Sequence, residues 1–515
     1  MKILRSNNVI LRVLAALICA VIAFSGMPAP ASAEGDTVIL GYLAAYGAKL
    51  NPFVCNERDL ASVGSLIYEP LFELDQNQQP QAVLAETWGY ADGIWTINIR
   101  PGVLFHNGIE LVAQDVVDSC KYFRNATEDN IYYGRVQKID SITATDTFQL
   151  QVECDYPGYM ALYCLTFPIV QRDTAYSDVP MGTGPYWCTS YVQDESIRLE
   201  ANPLWWKQQP TMKVLQFNHY WDIADMLTAL QSGEVEMFQT RSATAALTKK
   251  LDYASFLDYS TTSYEVLIPN LEGILADQNL RKAIMYAIDY DTLTSNVYLN
   301  MAQQCEVPIH PSSWLYETQS AVYYYSPERA MQYLQDSGWV DMTGDTLLNQ
   351  LEDNVLKYID VNIIVYNEAA TKVRSNAAEQ IATNLRAVGI NASVEILTRK
   401  EVRKAMENGS FDIALVSMNL SEVPDLIPMF SEKGALNYSK VNNETLTQML
   451  RECVYANDET AMKLAYGNIQ SYIVENLPVM GICFRTGMVL SGRPMAGMTV
   501  SRETDAYSGI EFLVE

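Results

Sequence analysis

The chain has 515 residues and a formal net charge of −26, with 61 acidic residues against 35 basic ones. A field of this sign repels nucleic acid and anionic membrane surfaces, so it argues against both as partners. The length suffices for two large domains or about three of average size, each with a sizeable core.

The first 33 residues have the features of a secretory signal peptide. Three basic residues precede an apolar run over 13–24, and the letters ASA at 31–33 form a small-x-small cleavage signal. The run is shorter than the roughly 20 residues that span a bilayer, which disfavours a membrane anchor. Cys19 follows Ile18, which is not the small residue that a lipoprotein signal needs. We therefore expect cleavage after residue 33 and an extracytoplasmic location, periplasmic or at the cell surface.

Nine cysteines occur, and Cys19 lies in the leader, so eight remain in the mature chain. An even number in an oxidising compartment permits disulfides. The alternative is that they are buried thiols that act as small hydrophobic residues, because a chain of this size does not need cross-links. None of them has the CxxC spacing of a metal cluster.

The front of the mature chain predicts strands, mostly in antiparallel pairs. Residues 37–46 are an apolar, β-branched run before Gly47, and 94–106 alternate in polarity up to Pro101. The pattern of 139–153 predicts a hairpin.

The second half changes to helical periodicity and then to a regular alternation. A helix capped by Asp277 precedes one that starts at Ser326 and stops at Gly338. Predicted strands at 358–367, 391–398 and 411–420 then alternate with predicted helices at 368–390 and 400–409. This β-α-β-α-β order predicts a parallel sheet with right-handed crossovers, so the fold class is α/β.

The segment FHNGIELVAQDVV, 105–117, is the first candidate for a catalytic or metal-binding corner. His106 lacks a nearby nucleophile, an orienting carboxylate or further ligands at metal spacing. Asn107-Gly108 is a tight-turn pair, and Asp115 stands where an acid reaches back to the free N–H groups of a helix start. We interpret the segment as a strand, a turn and a helix start. Because no nucleotide, zinc or hydrolase motif occurs either, we predict no catalytic residue, metal site or cofactor.

Ten short motifs follow one another through nearly the whole mature chain. They are LNPF (50–53), IYEPLFELD (67–75), LAETW (84–88), RPGVLFHNGIELVAQDV (100–116), GTGPYW (182–187), NPLWW (202–206), LQSGEVEM (230–237), LRKAIMYAIDYDTL (280–293), YSPERAMQYLQDSGW (325–339) and GSFDIALV (409–416). Each is weak alone, but the ordered set resembles the family 5 solute-binding proteins. These are the dipeptide- and oligopeptide-binding components of ABC importers.

The resemblance implies a two-lobed, periplasmic-binding-protein-like fold of the large class II type with an additional β-rich subdomain. The implied domains are lobe I (34–62, 172–268 and 485–515), the extra domain (63–171) and lobe II (269–484), with crossings near 266–273 and 481–487. The lobes would close about a hinge over a solute, and the closed form would be recognised by the permease subunits of an importer. The resemblance also implies a monomer that performs no catalysis.

Two positions depart from the family pattern. Val112 stands where the family has a threonine helix cap, which concerns stability. Peptide-binding members carry an acidic residue after the strand that matches 411–420, where this sequence has Asn419 or Leu420, with Glu422 and Asp425 offset. This departure argues against recognition of a peptide's α-amino group in the usual way.

The candidate ligand-binding residues lie where the implied cleft would be. They are Tyr46 after the first strand, Met418, Asn419 and Leu420 at the end of a lobe II strand, and Asp425 and Arg485 as charge partners. Trp205, Trp206 and Trp339 are predicted to be core residues. A peptide is the predicted ligand. The alternatives are a sugar, a metal chelate, or a secreted hydrolase that acts on oligosaccharides.

Overall fold

The computed structural model describes residues 36–247, 254–368 and 371–514. The predicted leader, 1–33, lies outside these residues. Within them, no helix combines the length and the apolar character needed to cross a membrane.

The described residues form nineteen strands and a similar number of helical segments. The strands are β1 Thr37–Leu43, β2 Phe72–Leu74, β3 Pro80–Ala82, β4 Ala85–Ala91, β5 Ile94–Ile99, β6 Ile139–Asp146, β7 Gln149–Cys154, β8 Tyr186–Val192, β9 Ser196–Ala201, β10 Val214–Tyr220, β11 Met237–Thr240, β12 Ser255–Pro269, β13 Ala302–Gln304, β14 Asn349–Glu352, β15 Val355–Tyr358, β16 Asp360–Tyr366, β17 Asn391–Leu397, β18 Ile413–Asn419 and β19 Met480–Ser491. The α-helices are Arg58–Gly64, Ala113–Arg124, Tyr133–Val136, Ala161–Cys164, Ile223–Ser232, Ala243–Ala246, Gln278–Ala287, Tyr290–Thr292, Pro327–Asp336, Val373–Ala387, Arg399–Asn408, Ile427–Phe430, Glu444–Tyr455 and Glu459–Asn476.

One sheet of eleven strands runs through the molecule in the order β17-β16-β18-β12-β19-β11-β1-β10-β9-β8, and β13 pairs with β19. We call the half around β1 lobe I and the half around β16 lobe II. Strand β16 is parallel to both β17 and β18. This confirms the predicted β-α-β-α-β unit and the two-lobed α/β fold class.

Two long strands, β12 and β19, are shared by the two lobes. They pair antiparallel, but their register is interrupted between Ser260 and Tyr264. Before the interruption, β12 pairs with the part of β19 that also pairs with β11 of lobe I. After the interruption, β12 lies between β19 and β18 of lobe II. Thr261–Ser263 therefore mark the passage between the lobes. The predicted crossing at 266–273 lies just beyond them, and the one at 481–487 spans the facing part of β19. The predicted domain boundaries stay predictions.

Two glycines of β19 allow close packing on either side of this passage. A Cβ at Gly487 would overlap the ring of Tyr259, and a Cβ at Gly481 would overlap the hydroxyl of Tyr264. Both tyrosines belong to β12 and are buried. Glycine is thus required where a side chain of one shared strand lies against the backbone of the other.

A separate four-stranded antiparallel sheet, β4-β5-β7-β6, forms the centre of a smaller domain. Its β6–β7 pair is the predicted hairpin. Strand β5 ends at Ile99, before Pro101, and its buried residues Trp95, Ile97 and Ile99 alternate with partly exposed ones. Polar and apolar residues alternate in this part of the sequence because successive side chains of the strand lie on opposite faces of the sheet.

Two helices begin at the cap residues that the sequence predicts. The Asp277 carboxylate accepts a hydrogen bond from the Asn279 N–H (2.8 Å), and the Ser326 hydroxyl accepts one from the Arg329 N–H (3.3 Å). The helix expected from residue 368 instead begins at Val373. Glu368 lies before it, because its carboxylate accepts from the Arg374 N–H (3.0 Å) and is thereby held ahead of the first turn.

The eight cysteines of the described residues are free thiols, and seven of them are buried. The structure therefore matches the alternative of small hydrophobic residues rather than disulfides. Burial raises the pKa of Cys120 and of Cys188 to about 11. These two thiols are protonated, and hence poor nucleophiles, at neutral pH.

Candidate functional site

Two adjoining cavities lie beside the strands that connect the lobes. The larger, of about 500 Å³, is lined by residues of lobe I and the small domain, and by Glu422 of lobe II. The smaller, of about 70 Å³, is lined by Thr261 and Thr262 of β12, by lobe II residues that include His310, and by Leu74 and Arg502. Glu422 and Arg502 line both cavities. The pair of cavities therefore occupies the cleft between the lobes.

Glu422 joins the two sides of this cleft through charged hydrogen bonds. It accepts from Arg135 (2.5 Å), from Arg502 (3.4 Å) and from the Thr504 hydroxyl (2.8 Å). Arg135 is held in place by two further bonds, both 2.8 Å, to the carbonyl and hydroxyl oxygens of Thr166. Burial alone would raise the pKa of Glu422, but Arg135 and Arg502 outweigh it, so the pKa is lowered from the usual value. The carboxylate is charged at neutral pH.

Asp425 makes a second connection from lobe II to the small domain. The Tyr156 hydroxyl donates a short hydrogen bond to its carboxylate, and the Lys138 ammonium lies 4.0 Å away. The other carboxylate oxygen accepts from the Ile427 N–H (2.9 Å). Glu422 and Asp425 are the two acids near the position at which the family resemblance implies an amine-binding acid. Both are already bonded to protein groups.

Glu69 is fixed on the opposite wall of the larger cavity. Its carboxylate accepts hydrogen bonds from the indole N–H groups of Trp205 (3.3 Å) and Trp206 (2.9 Å) and from the Thr183 hydroxyl (2.8 Å). The Lys207 ammonium lies 3.3 Å from it. The motifs IYEPLFELD, GTGPYW and NPLWW therefore meet at this carboxylate. Trp205 and Trp339 are buried as predicted, and Trp206 is half-buried.

Two carboxyl groups of the C-terminal segment line the larger cavity with fewer partners. Burial raises the pKa of both Asp505 and Glu511, and the nearby cations Arg502 and Lys207 only partly oppose this. One oxygen of Asp505 is buried and has no hydrogen-bond partner among the residues that the structure describes, although the other accepts from Arg502 (2.6 Å). The charged form of these two carboxyl groups is therefore less favoured than that of Glu422.

Two of the six predicted ligand-binding residues line a cavity. Leu420 and Asp425 both line the smaller one. Met418 and Asn419 precede them at the end of β18: Met418 is buried, and the Asn419 side chain accepts from the Ser263 hydroxyl (3.0 Å). A ligand-binding role for these four residues stays a prediction.

The other two predicted residues line neither cavity. Tyr46 is 85% exposed and stacks on Trp221, with ring centroids 6.3 Å apart. Arg485 donates to the Met301 carbonyl (3.3 Å), and its guanidinium lies 3.8 Å from Glu265, on the lobe II side of β19. Tyr46 and Arg485 thus both contact other protein groups, and their role in binding stays a prediction.

Sequence reasoning did not select Glu69, Arg135, His310 or Arg502 for the cleft. Glu69 could have been found, because it lies inside one of the motifs that carry the family resemblance. Arg135 and Arg502 carry no such signal, and they are separated from Glu422 by 287 and 80 residues respectively.

His106 has the structural role that its turn predicts. Its ring nitrogens contact the Gly184 carbonyl (3.3 Å) and the Gly182 N–H (3.2 Å). Burial lowers its pKa to about 4, so the ring is neutral at physiological pH. Asp115 accepts from the Val112 N–H (3.1 Å), which supplies part of the helix start that Val112 itself cannot cap. Among the described residues, no group of three or more His, Cys, Asp or Glu could hold a metal ion.

Lobe II and the small domain also touch through their backbones. The Tyr159 N–H donates to the Ala456 carbonyl (2.8 Å), and a Cβ on Gly158 would overlap that carbonyl oxygen. The approach of the two parts at this point therefore depends on glycine.

A sheet shared by two lobes, with a polar cleft beside the connecting strands, defines a two-lobed solute-binding protein. Residues 79–435 match the family model for the bacterial extracellular solute-binding proteins, family 5. The chain belongs to this family. It is the extracytoplasmic solute-binding component of an ABC transporter and not an enzyme, so a secreted hydrolase is not favoured.

Characterised relatives share this architecture. The oligopeptide-binding protein AppA of Bacillus subtilis is 21% identical over 471 residues, which cover 87% of this chain and 86% of AppA. Its structure with a nonapeptide has a TM-score of 0.64 at 20% identity, covering 93% of this chain and 99% of AppA. The structure of a nickel ABC transporter protein from Bacillus halodurans has a TM-score of 0.78 at 20% identity, covering 92% and 98%. The DppA protein of Helicobacter pylori with the peptide STSA has a TM-score of 0.64 at 18% identity, covering 92% and 97%.

Proposed function

We propose that this protein captures short peptides between its lobes and delivers them to the permease subunits of an ABC importer. One observation carries the proposal: the two cavities share Glu422 of lobe II and Arg502 of lobe I, and the smaller one is lined by both strands that connect the lobes. A solute held there contacts both lobes and therefore favours their closed arrangement.

Peptides are the ligand class with the best support. AppA is named for oligopeptides, and the DppA structure holds a peptide. A cavity of about 500 Å³ is in the range of small-molecule sites, which suits a di- to pentapeptide better than a long chain. Extended peptides also bind through main-chain hydrogen bonds, which leaves side-chain preference to pockets.

The charge of the larger cavity favours peptides that are zwitterionic or positively charged. Six carboxyl groups and three cations line it: Glu69, Glu73, Asp75, Glu422, Asp505 and Glu511 against Arg135, Lys207 and Arg502. Because Glu422 is already paired with two arginines and Asp505 with Arg502, we propose that Glu511 attracts the ammonium group of the ligand. A peptide with net negative charge would meet like charge and bind less tightly.

The remaining features of the proposal follow from the sequence. After removal of residues 1–33 the mature protein would act in the periplasm or at the cell surface. We propose that it works as a monomer and has no nucleic-acid partner, because its strong negative charge repels polyanions.

Native mass spectrometry of the purified protein, followed by a thermal-shift screen, tests the ligand class. Di- to pentapeptides are expected to raise the melting temperature, since a ligand at 100 times its Kd adds about 2.7 kcal/mol of stability. Within the screen, Lys-containing peptides should give larger shifts than Asp-containing peptides of equal length. If sugars or metal chelates shift the melting temperature and peptides never do, the peptide assignment is wrong.

The glycine contact between the small domain and lobe II gives a test of closure. Gly158→Ala is expected to weaken binding of a peptide found in the screen about 5- to 150-fold, because overpacking costs about 1–3 kcal/mol and here acts on the closed form. Isothermal titration calorimetry measures the Kd. Gly134→Ala is the matched control, since nothing lies within 4 Å of its Cβ and its Kd should equal that of the wild type. Equal affinity in both variants would contradict a closing motion at Gly158.

A further inference from the structure

The smaller cavity contains a buried histidine with an unused donor. His310 is 7% exposed and follows β13 in lobe II, and its ring contacts the ring of Phe484 edge to face at 4.8 Å. Phe484 belongs to β19, one of the two strands shared by the lobes. The histidine is thus held against the connection between the lobes.

The hydrogen bonds of His310 fix the position of its proton. The Ser312 N–H donates to Nδ1 (3.1 Å), and the Ser312 hydroxyl lies 2.7 Å from the same nitrogen. Because a backbone N–H can only donate, Nδ1 is the acceptor and the proton of the neutral ring is on Nε2. Burial lowers the pKa of His310 to about 4, which keeps the ring neutral. Among the residues that the structure describes, Nε2 has no hydrogen-bond partner.

Among the described residues that line the cavity, Arg502 also has a buried N–H, at Nε, without a hydrogen-bond partner, but three hydroxyl groups are bonded to protein. The Thr261 hydroxyl donates to the Arg485 carbonyl (2.6 Å), the Ser421 hydroxyl accepts from the Val423 N–H (3.1 Å), and the Ser313 hydroxyl accepts from the Leu315 N–H (3.3 Å). A buried donor without a partner is energetically unfavourable. A ligand atom that accepts a hydrogen bond from Nε2–H would therefore be stabilised in this cavity.

Charge and size restrict what that acceptor can be. The carboxylates of Glu422, Asp425 and Glu503 line the smaller cavity with one cation, Arg502. An anionic group would meet like charge there, whereas a neutral oxygen would not. The volume of about 70 Å³ corresponds to roughly two water molecules of the liquid, or a short polar side chain.

We propose that the cavity at His310 is a specificity subsite that takes a neutral side chain with an acceptor oxygen, such as asparagine, serine or threonine, from the bound peptide. This inference rests on the proposed function and names a preference within it. Because the two cavities share Leu74, Glu422 and Arg502, a peptide in the larger one reaches the subsite with one side chain. Nε2–H then donates to the side-chain oxygen.

A panel of tripeptides tests the subsite by titration calorimetry. Asparagine or aspartate replaces each position of trialanine in turn, and the Kd of each peptide is compared with that of trialanine. One of the asparagine peptides is expected to bind about tenfold more tightly than trialanine, the gain of one neutral hydrogen bond with relief of a buried donor. The aspartate peptide of the same position should show no gain.

Variants of His310 decide whether the preference comes from this residue. His310→Phe keeps the aromatic packing and should remove the asparagine preference, measured within that variant as the ratio of the Kd of trialanine to the Kd of the asparagine peptide. His310→Gln keeps an N–H donor and should retain part of the preference, which guards against a fold defect in the first variant. His219→Phe is the matched control, because His219 lies in β10 and lines neither cavity.

The outcomes are distinct. Loss of the preference in His310→Phe and its retention in His219→Phe support the subsite. No asparagine preference in the wild type, or an unchanged preference in His310→Phe, overturns it. If no peptide of any sequence binds, the proposed function itself is wrong and the subsite falls with it.

Discussion

Arg374→Met is expected to lower the free energy of unfolding by about 3–5 kcal/mol. Arg374 lies in the helix Val373–Ala387 and donates two hydrogen bonds of 3.0 Å each to Glu265 of β12, and one of 2.8 Å to Glu368. The side chains of Arg374 and Glu265 are only 6% and 1% exposed. Removal of the guanidinium leaves a buried carboxylate whose nearest remaining cation, Arg485, is 3.8 Å away.

The electrostatics of this pair support an effect of that size. Burial alone would lower the pKa of Arg374, but Glu265 and Glu368 outweigh it and raise the pKa above the usual value. The guanidinium also lies 4.4 Å from the ring centroid of Tyr366 in β16. Arg374 therefore connects a lobe II helix to two strands of the main sheet, one of them shared by the lobes.

Urea unfolding followed by circular dichroism measures the loss. Arg403→Met is the matched control, because Arg403 pairs with Glu407 at 71% and 54% exposure and such surface pairs contribute about 1 kcal/mol or less. The double variant Arg374→Met with Glu265→Leu should be more stable than Arg374→Met alone, since the unpaired carboxylate is gone. Equal losses in Arg374→Met and Arg403→Met would contradict a structural role for the buried pair.

Glu422→Gln is expected to weaken peptide binding at least about 30-fold, because breaking a buried charged hydrogen bond costs about 2 kcal/mol or more. Glu422 belongs to lobe II, and its partners Arg135, Arg502 and Thr504 belong to the opposite side of the cleft. Glutamine has nearly the same shape, but it removes the counter-charge that Glu422 gives Arg135 and leaves Arg502 with Asp505 alone. The substitution therefore destabilises the closed form, in which these groups are in contact, and so weakens binding.

Titration calorimetry and small-angle scattering measure this effect. With saturating peptide, the wild type should show a smaller radius of gyration than Glu422→Gln at the same concentration. Glu407→Gln, an exposed substitution in the same lobe, is the control and should bind as the wild type does. Wild-type affinity in Glu422→Gln would show that the bridge between the lobes does not stabilise closure.

The lowered pKa of Glu422 sets the pH window of this contribution. A carboxylate whose pKa is depressed in the closed form stabilises that form fully above its unperturbed value of 4.5. The stabilisation is lost as the pH falls through the lowered pKa. The affinity ratio of wild type to Glu422→Gln should be constant between about pH 5.5 and 7.5 and approach one in strong acid.

Several elements could be predicted from the sequence because their causes are local. The strands 358–367, 391–398 and 411–420 were found within about two residues of β16, β17 and β18, since burial on a sheet is visible as runs of apolar, β-branched residues. Asp277 and Ser326 were found as helix caps because a cap bonds to N–H groups two or three residues away. The turn at His106 was found for the same reason.

The start of the helix at Val373 and the long shared strands could not be predicted in this way. Glu368 is a good helix former, but its bond to Arg374 holds it outside the helix. The passage between the lobes at Thr261–Ser263 depends on how β12 pairs with β18 and β19, both more than 100 residues further along the chain. Strand pairing over such distances leaves no periodic trace in either segment.

The sequence alone therefore determined the family and the α/β class, because ordered motifs and local periodicity carry that information. Only the tertiary structure decided which charges meet in the cleft. Of 61 acids and 35 bases, nothing local distinguishes Glu422, Arg135 and Arg502, which are brought together across hundreds of residues. The unused donor of His310 is likewise a property of its buried surroundings, and burial is set by the packing of the whole chain.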